Sequence, residues 1–187
     1  MQKQPHIIAV VGLAGSGKTE ATARFLERGF FRVGFNEPVY EEVARLGLGR
    51  NQHDERMVRE QMRKDHGMGV MADRSIPKIE QALAEGKDVV AESLYSWAEY
   101  KIMKERFGEA FRALAIYAPP SVRYERLHGR AERPLSFEEA RARDYAEIEG
   151  TDKAGPIAIA DWTISNMGSR EEFLKNVDAL LDETLKD

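Results

Sequence analysis

Residues 12–19 read Gly12-Leu13-Ala14-Gly15-Ser16-Gly17-Lys18-Thr19. This stretch fits the phosphate-loop pattern G-x-x-x-x-G-K-S/T, in which glycines shape a loop that a lysine and a hydroxyl residue complete. The glycines are needed because the loop takes positive φ angles and turns its backbone N–H groups inward around a phosphate. In this pattern Lys18 reaches the β- and γ-phosphates, and Thr19 holds Mg²⁺. The stretch therefore predicts a binding site for a nucleoside triphosphate.

The sequence on both sides of the loop supports this prediction. Residues 7–11 form an apolar run that is typical of a buried parallel strand. Residues 19–28 predict a helix that ends at Gly29, so that its N-terminal dipole faces the phosphates. A chance glycine-rich turn is the alternative explanation, but it does not account for a strand, a loop and a helix in this order.

The composition limits the classes of protein that fit. The chain has 187 residues, a net charge of −4 and no cysteine. The acidic balance argues against nucleic acid as a partner, although a local arginine cluster still suits a small phosphorylated ligand. No thiolate metal site is available, and the four histidines are scattered without a ligand spacing. Because the apolar runs are strand-sized and no signal peptide precedes the loop, we expect a cytoplasmic protein without a membrane segment.

Strand-like runs alternate with helical patterns, which is typical of a parallel sheet covered by helices. We therefore predict an α/β, three-layer P-loop NTPase fold, with a five-stranded parallel sheet, in a single domain over residues 1–187. The predicted strands are residues 7–11, 30–35, 89–92, 111–118 and 160–166. Residues 37–85 predict a helical excursion that binds the acceptor, and residues 121–150 predict two lid-like helices.

Two groups of basic residues lie outside the phosphate loop. Arg56, Arg59 and Arg63 fall within about two turns of one predicted helix; they form either a solvated face or an anion site. In the lid, arginines recur every three or four residues, so several share one helix face. Arg130 and Arg133 lie nearest the break between the lid helices and are the predicted lid arginines. The alternative is an exposed helix pair held by ion pairs along each helix.

Glu92 is the acidic residue that ends the third predicted strand. In open α/β sheets ligands bind at the carboxyl ends of the strands, so we expect Glu92 near the phosphate loop. There it would orient a water bound to Mg²⁺. The alternative role is that of a strand-end residue capping the next turn.

With the phosphate loop, the excursion, the arginine-rich lid and the segment Ala160-Asp161-Trp162-Thr163-Ile164-Ser165-Asn166 in view, the chain resembles P-loop kinases of small nucleotide-like substrates. It is similar to the dephospho-coenzyme A kinase group and to an adenylate-kinase-related family. The resemblance implies that Asn166 contacts adenine, where the alternative is a strand-end turn. It also implies that Arg63 and Arg74 hold the acceptor. Dephospho-coenzyme A kinases carry an aspartate base after the second strand, and Glu37 would substitute for it here.

These observations predict transfer of a phosphoryl group from ATP, with Mg²⁺, to a small phosphorylated acceptor. The enzyme would be a nucleoside monophosphate kinase or similar to dephospho-coenzyme A kinase, with Lys18, Arg130, Arg133 and Glu37 as catalytic residues. The alternative from another class is an ATP-binding regulatory module or switch ATPase without such an acceptor. A third hypothesis is a kinase that acts on the end of a polynucleotide. A GTPase is disfavoured because no N-K-x-D motif occurs. The acceptor and the oligomeric state stay open.

Overall fold

The computed structural model of the protein describes residues 5–185. Its five strands are β1 (Ile7–Val11), β2 (Phe31–Gly34), β3 (Val89–Glu92), β4 (Phe111–Tyr117) and β5 (Trp162–Ser165). The helices of this range are α1 (Lys18–Glu27), α2 (Glu37–Arg45), α3 (Gln52–His66), α4 (Val70–Ala84), α5 (Trp97–Phe107), α6 (Pro120–His128), α7 (Phe137–Thr151), α8 (Ala154–Ala158) and α9 (Arg170–Thr184). A short 3₁₀ turn, Gly108–Ala110, precedes β4.

The strands form one parallel sheet in the order β2-β3-β1-β4-β5. In this sheet Ile7 of β1 pairs with Val89 of β3 on one side and with Phe111 of β4 on the other. The central strand β1 is buried along its whole length, as expected for a strand covered on both faces. The prediction of a five-stranded parallel sheet is confirmed, and the loop after β1 lies at the middle of the carboxyl edge.

Helices cover both faces of the sheet, which confirms the three-layer architecture. Alternate residues of β1 point to opposite faces. Ile7 belongs to a core with residues of α2, α3, α4 and α5, whereas Ile8 belongs to a core with Phe25 of α1 and Phe173 of α9. Helices α2, α3 and α4 connect β2 to β3, and α6, α7 and α8 connect β4 to β5.

Two serine caps predicted by the sequence fix the starts of helices near the site. Ser96 and Glu99 form a reciprocal capping box at α5, and Ser136 and Glu139 form one at α7. The five-residue helix α8 was not predicted. Over residues 5–185 there is no helix with the length and apolar character needed to cross a bilayer.

Candidate functional site

The loop between β1 and α1 has a backbone that only glycine adopts without strain. Gly12, Gly15 and Gly17 have φ angles of 145°, 81° and 108°. A Cβ at Gly12 would lie 2.5 Å from the carbonyl oxygen of Ile116, and one at Gly17 would lie 2.2 Å from Asn166 Nδ2. The loop thus follows neighbouring atoms closely, and its backbone N–H groups fit a phosphate that would sit at the start of α1.

Lys18 is the first residue of α1, and its side chain folds over the loop. Its Nζ donates to the carbonyl oxygen of Leu13 at 3.0 Å. The pKa of Lys18 is lowered to about 7, mainly by burial and in addition by the charges of Lys153, Arg143 and Arg130, against the opposite effect of Glu147. Within the described chain, the buried Ser16 hydroxyl in the same loop has no hydrogen-bond partner. A partly buried lysine near other cations and an unpaired hydroxyl are groups that a bound phosphate would satisfy.

Arg123 anchors the two lid helices on the phosphate loop. This arginine of α6 is buried, and its Nη1 donates to the carbonyl oxygen of Ala14 at 3.0 Å. Its two Nη atoms also donate to the two oxygens of Asp144 in α7, at 2.9 and 2.6 Å. Tyr124 donates its hydroxyl to the same carboxylate at 2.9 Å. Arg123 therefore does not belong to the exposed basic face of the lid.

The predicted lid arginines lie in the connection between α6 and α7. Both Arg130 and Arg133 are exposed, and Arg133 has a left-handed backbone with φ of 54°. Arg130 is close enough to lower the pKa of Lys18. Because the two helices are tied to the loop by Arg123, this connection is the part of the lid that carries free guanidinium groups next to the phosphate site. The roles of Arg130 and Arg133 stay predictions.

Asn166, which follows β5, packs against the other side of the phosphate loop. Its Nδ2 donates to the carbonyl oxygen of Ser16 at 2.8 Å, and its Oδ1 accepts from Arg126 Nη2 at 3.2 Å. Arg126 Nη1 is buried and has no partner within residues 5–185. A cavity of about 200 Å³ opens here. Its lining residues are Gly17, Glu20, Arg126, Asn166, Arg170 and Phe173. The sequence pattern did not single out Arg126 from the other lid arginines.

Glu37 and Glu92 lie side by side at the carboxyl edge of β2 and β3, bridged by Arg32. The Nε of Arg32 donates to Glu92 Oε1 at 2.8 Å, and its Nη1 donates to Glu37 Oε1 at 3.1 Å. Lys78 contacts the other oxygen of Glu37. Both predicted acidic residues are thus engaged by cations. Among the described residues, no hydrogen bond or ion pair connects Glu92 with the phosphate loop. Their predicted roles are not tested by this geometry.

The residues present fit a Mg²⁺ ion that is held largely by phosphates and water. Among the described residues no three or more His, Cys, Asp or Glu side chains are grouped to hold a metal ion. Mg²⁺ in kinase sites commonly has only one or two protein ligands, with substrate phosphates and waters as the others. Thr19 in the first turn of α1 and Glu92 at the end of β3 would be those ligands.

A second cavity of about 190 Å³, here called the arginine cavity, lies beside the phosphate loop. It is lined by Arg59, Arg63, Tyr95, Arg143, Glu147 and Thr151. Arg143 and Glu147 lie on α7 within one turn of Asp144, which Arg123 joins to the Ala14 carbonyl of the phosphate loop, and these contacts place the arginine cavity near the loop. Arg63 Nη2 lies 3.7 Å from Glu99 Oε1, and its buried Nε has no partner within the described range. Burial lowers the pKa of Arg63.

The structure does not bring the two predicted acceptor arginines together. Arg74 of α4 lines a different cavity, of about 240 Å³, with Glu42, Leu46, Met57 and Met62 among its lining residues. Residues of α3 separate the two cavities, because successive residues of a helix turn by about 100° and Arg63 points away from the Met57 and Met62 side. Arg59, which the sequence groups with Arg63 as a possible anion site, and Arg143, which the sequence does not assign to the acceptor, lie with Arg63 instead.

These elements define a P-loop nucleotide-binding domain of the kinase-like class: a central parallel strand, a glycine loop at its carboxyl end, and a lysine at the first position of the next helix. A family model described as an AAA domain matches residues 8–146. A UPF0200 protein of Thermococcus onnurineus is 32% identical over 182 residues, which cover 96% of this chain and 98% of the relative. The chain therefore belongs to the UPF0200 family.

Solved structures of P-loop kinases share this fold. A putative kinase from Chloroflexus aurantiacus superposes with a TM-score of 0.63 and 14% identity, covering 100% of this chain and 98% of that one. A dephospho-CoA kinase from Campylobacter jejuni gives a TM-score of 0.57 and 15% identity, covering 97% and 98%. At such identities the likeness concerns the fold, and the reaction is argued from the site.

Proposed function

We propose that the protein transfers a phosphoryl group from ATP to a small phosphorylated acceptor, a nucleotide or a nucleotide-like molecule. The observation that carries this proposal is the arginine cavity beside the phosphate loop. Arg59, Arg63 and Arg143 line it, and Arg143 also acts on the pKa of Lys18. Guanidinium groups bind phosphate through paired N–H donors. A protein that only binds or hydrolyses ATP has no need of this second anion site.

On the donor side, the loop and its neighbours would hold ATP. The backbone of residues 12–19 and Lys18 bind the phosphates, and the cavity beside Asn166 and Arg126 accommodates the base. The unpaired Nη1 of Arg126 supports this assignment because a buried donor without a partner is costly. ATP would supply the phosphoryl group, and Thr19 and Glu92 would hold a Mg²⁺ ion whose charge balances that of the phosphates. Arg130 and Arg133 would close over the phosphates and exclude water.

On the acceptor side, the transfer joins an acceptor oxygen to the γ-phosphorus and breaks the bond to the bridging oxygen, so that ADP leaves. If the attacking oxygen belongs to a phosphate, no proton has to be removed. If it belongs to a hydroxyl group, Glu37 would accept the proton. Because Arg32 and Lys78 already engage the two oxygens of Glu37, the contacts favour a phosphate oxygen as the nucleophile.

An acceptor screen tests the proposal. The protein is incubated with MgATP and with single members of a panel of nucleoside monophosphates and dephospho-coenzyme A, and ADP and phosphorylated product are quantified. We expect ADP release that depends on one class of acceptor. Equal ADP release with every acceptor and with none would instead indicate a switch ATPase.

Arg59 offers a selective test of the acceptor site. It lines the arginine cavity, and no ion pair ties it within the described residues. In Arg59→Met we expect the KM for the acceptor to rise about tenfold or more, because a hydrogen bond to a charged group contributes about 1.5–3 kcal/mol, with little change in the KM for ATP. Arg56→Met is the matched control, since Arg56 lies on the same helix and pairs with Glu60 outside the cavity. An unchanged acceptor KM in Arg59→Met would contradict the assignment.

The lowered pKa of Lys18 predicts that ATP binding takes up a proton. Free Lys18 loses its proton above a pH of about 7, whereas a bound phosphate favours the ammonium form and raises this pKa. Between the two pKa values the complex holds one more proton than the free protein, so ATP affinity falls as pH rises, by at most about tenfold per pH unit. Calorimetry at pH 8 in buffers of different ionisation enthalpy should show uptake that fades by pH 6. Equal uptake at both values would contradict the prediction.

A further inference from the structure

Lys153 is a buried lysine at the wall of the arginine cavity, immediately after Asp152, which caps α7. Only 2% of its surface is exposed. Its Nζ lies 2.5 Å from Glu147 Oε2 and 4.4 Å from the centre of the Tyr95 ring. Glu147 and Tyr95 both line the arginine cavity. Glu147 follows Asp144 by one turn of α7, and Arg123 joins Asp144 to the Ala14 carbonyl of the phosphate loop. Lys153 therefore contacts the part of α7 that connects the phosphate loop with the arginine cavity.

The charges in this region do not balance. The cations are Lys18, Arg59, Arg63, Arg143 and Lys153, and the carboxylates that face them are Glu147 and Glu99. Two further carboxylates nearby are already engaged, Asp144 by Arg123 and Glu60 by Arg56. A buried cation is costly unless an anion accompanies it. The excess of cations is what a site for a multiply charged anion requires.

The Lys153 side chain is not needed to end α7. Asp152 takes a left-handed backbone with φ of 51°, and its N–H donates to the carbonyl oxygen of Ile148 at 3.1 Å. Thr151 donates its hydroxyl to the carbonyl oxygen of Glu147 at 2.6 Å. These contacts complete the helix terminus through the backbone. A buried ion pair is in general also a weak source of stability, so a purely structural role explains Lys153 poorly.

We propose that Lys153 is a second phosphoryl-binding lysine, which faces Lys18 across the γ-phosphate and which Glu147 holds until the phosphate takes the place of its carboxylate. This inference rests on the proposed function, because it assumes that ATP phosphates enter the site. Glu147 is well suited to the exchange, since it accepts from Arg143 Nε at 2.9 Å as well as from Lys153. A phosphoryl group would offer Lys153 and Arg143 three acceptor oxygens, whereas the Glu147 carboxylate offers two.

The test compares ATP with ADP in Lys153→Met, which keeps the length of the side chain without its charge. Because Lys153 would contact only the γ-phosphoryl group, we expect the Kd for ATP to rise about tenfold or more and the Kd for ADP to stay unchanged. Lys153→Arg should restore part of the preference for ATP. Lys175→Met, an exposed position on α9, is the control.

Glu147→Gln gives a second variant that does not depend on the folding of Lys153→Met. Loss of the competing carboxylate should tighten ATP binding relative to ADP. Equal changes in the Kd for ATP and for ADP in both variants would overturn the Lys153 proposal. If the acceptor screen finds no acceptor, the proposed function fails, but the ATP-to-ADP ratio still decides the role of Lys153.

Discussion

Lys18→Ala is expected to lower the rate of phosphoryl transfer by about 100- to 1000-fold, the effect typical of removing one preorganised electrostatic contact to a transition state. Lys18 opens α1, and its Nζ lies over the loop at 3.0 Å from the carbonyl oxygen of Leu13. From this position a small movement brings the ammonium group to a phosphate held by the loop backbone. Within residues 5–185, no other lysine side chain donates to a carbonyl oxygen of the phosphate loop. The measurement is single-turnover transfer with the acceptor that the screen identifies.

The same variant separates loss of function from loss of fold. Burial lowers the pKa of Lys18 from 10.5 to about 7. Charged Lys18 therefore opposes folding at every pH below 10.5, and this cost is full below a pH of about 7. Alanine removes the cost, so the Tm should not fall. Lys175→Ala is the matched surface control. Transfer at a near-normal rate by Lys18→Ala would contradict the proposed role of the loop.

The local part of this site could be predicted from the sequence. Residues 7–27 contain β1, the phosphate loop and α1 without interruption. Each of these depends on residues that are neighbours in the sequence: an apolar run, glycines with positive φ, and a helix N-terminus. The capping boxes at Ser96 and Ser136 are equally local. The parallel arrangement of the sheet followed from the alternation of strands and helices, because a parallel sheet needs long connections.

The sequence could not distinguish arginines that have the same spacing but different surroundings. Arg123, Arg126 and Arg130 recur every three or four residues, yet Arg123 is buried against the loop, Arg126 contacts Asn166, and Arg130 is exposed. Their differences arise from partners far along the chain; the contact of Arg123 with Ala14, for example, spans 109 residues. For the same reason the sequence does not show that Arg63 shares a cavity with Arg143 and not with Arg74.

The longest of these contacts suggests how nucleotide and lid communicate. Ala14 lies in the phosphate loop, Arg123 in α6 and Asp144 in α7, and one guanidinium group joins all three. Glu147 and the arginine cavity follow one turn after Asp144 on the same helix. A movement of the phosphate loop would therefore act on α7 and on the arginine cavity through Arg123.

Asp144→Ala is expected to lower the free energy of unfolding by about 3–5 kcal/mol, because it leaves the Arg123 charge buried without its partner. The Nη atoms of Arg123 lie 2.9 and 2.6 Å from the two Asp144 oxygens, and Tyr124 would also lose its acceptor. At about 2–4 °C per kcal/mol for a chain of this size, the Tm should fall by roughly 6–20 °C. Urea unfolding and a thermal melt measure the two quantities.

Two comparisons make this result specific to the buried pair. Asp182→Ala removes a carboxylate that pairs with Arg28 at the surface, where an ion pair contributes about 0–1 kcal/mol. Replacing both partners, as Arg123→Met with Asp144→Leu, should recover much of the stability, since it removes the unpaired charge. ATP binding should nevertheless be weaker in the double variant than in the unsubstituted protein, because the Ala14 carbonyl loses its Arg123 donor. If Asp144→Ala melted like Asp182→Ala, the pair would not hold the lid helices on the loop.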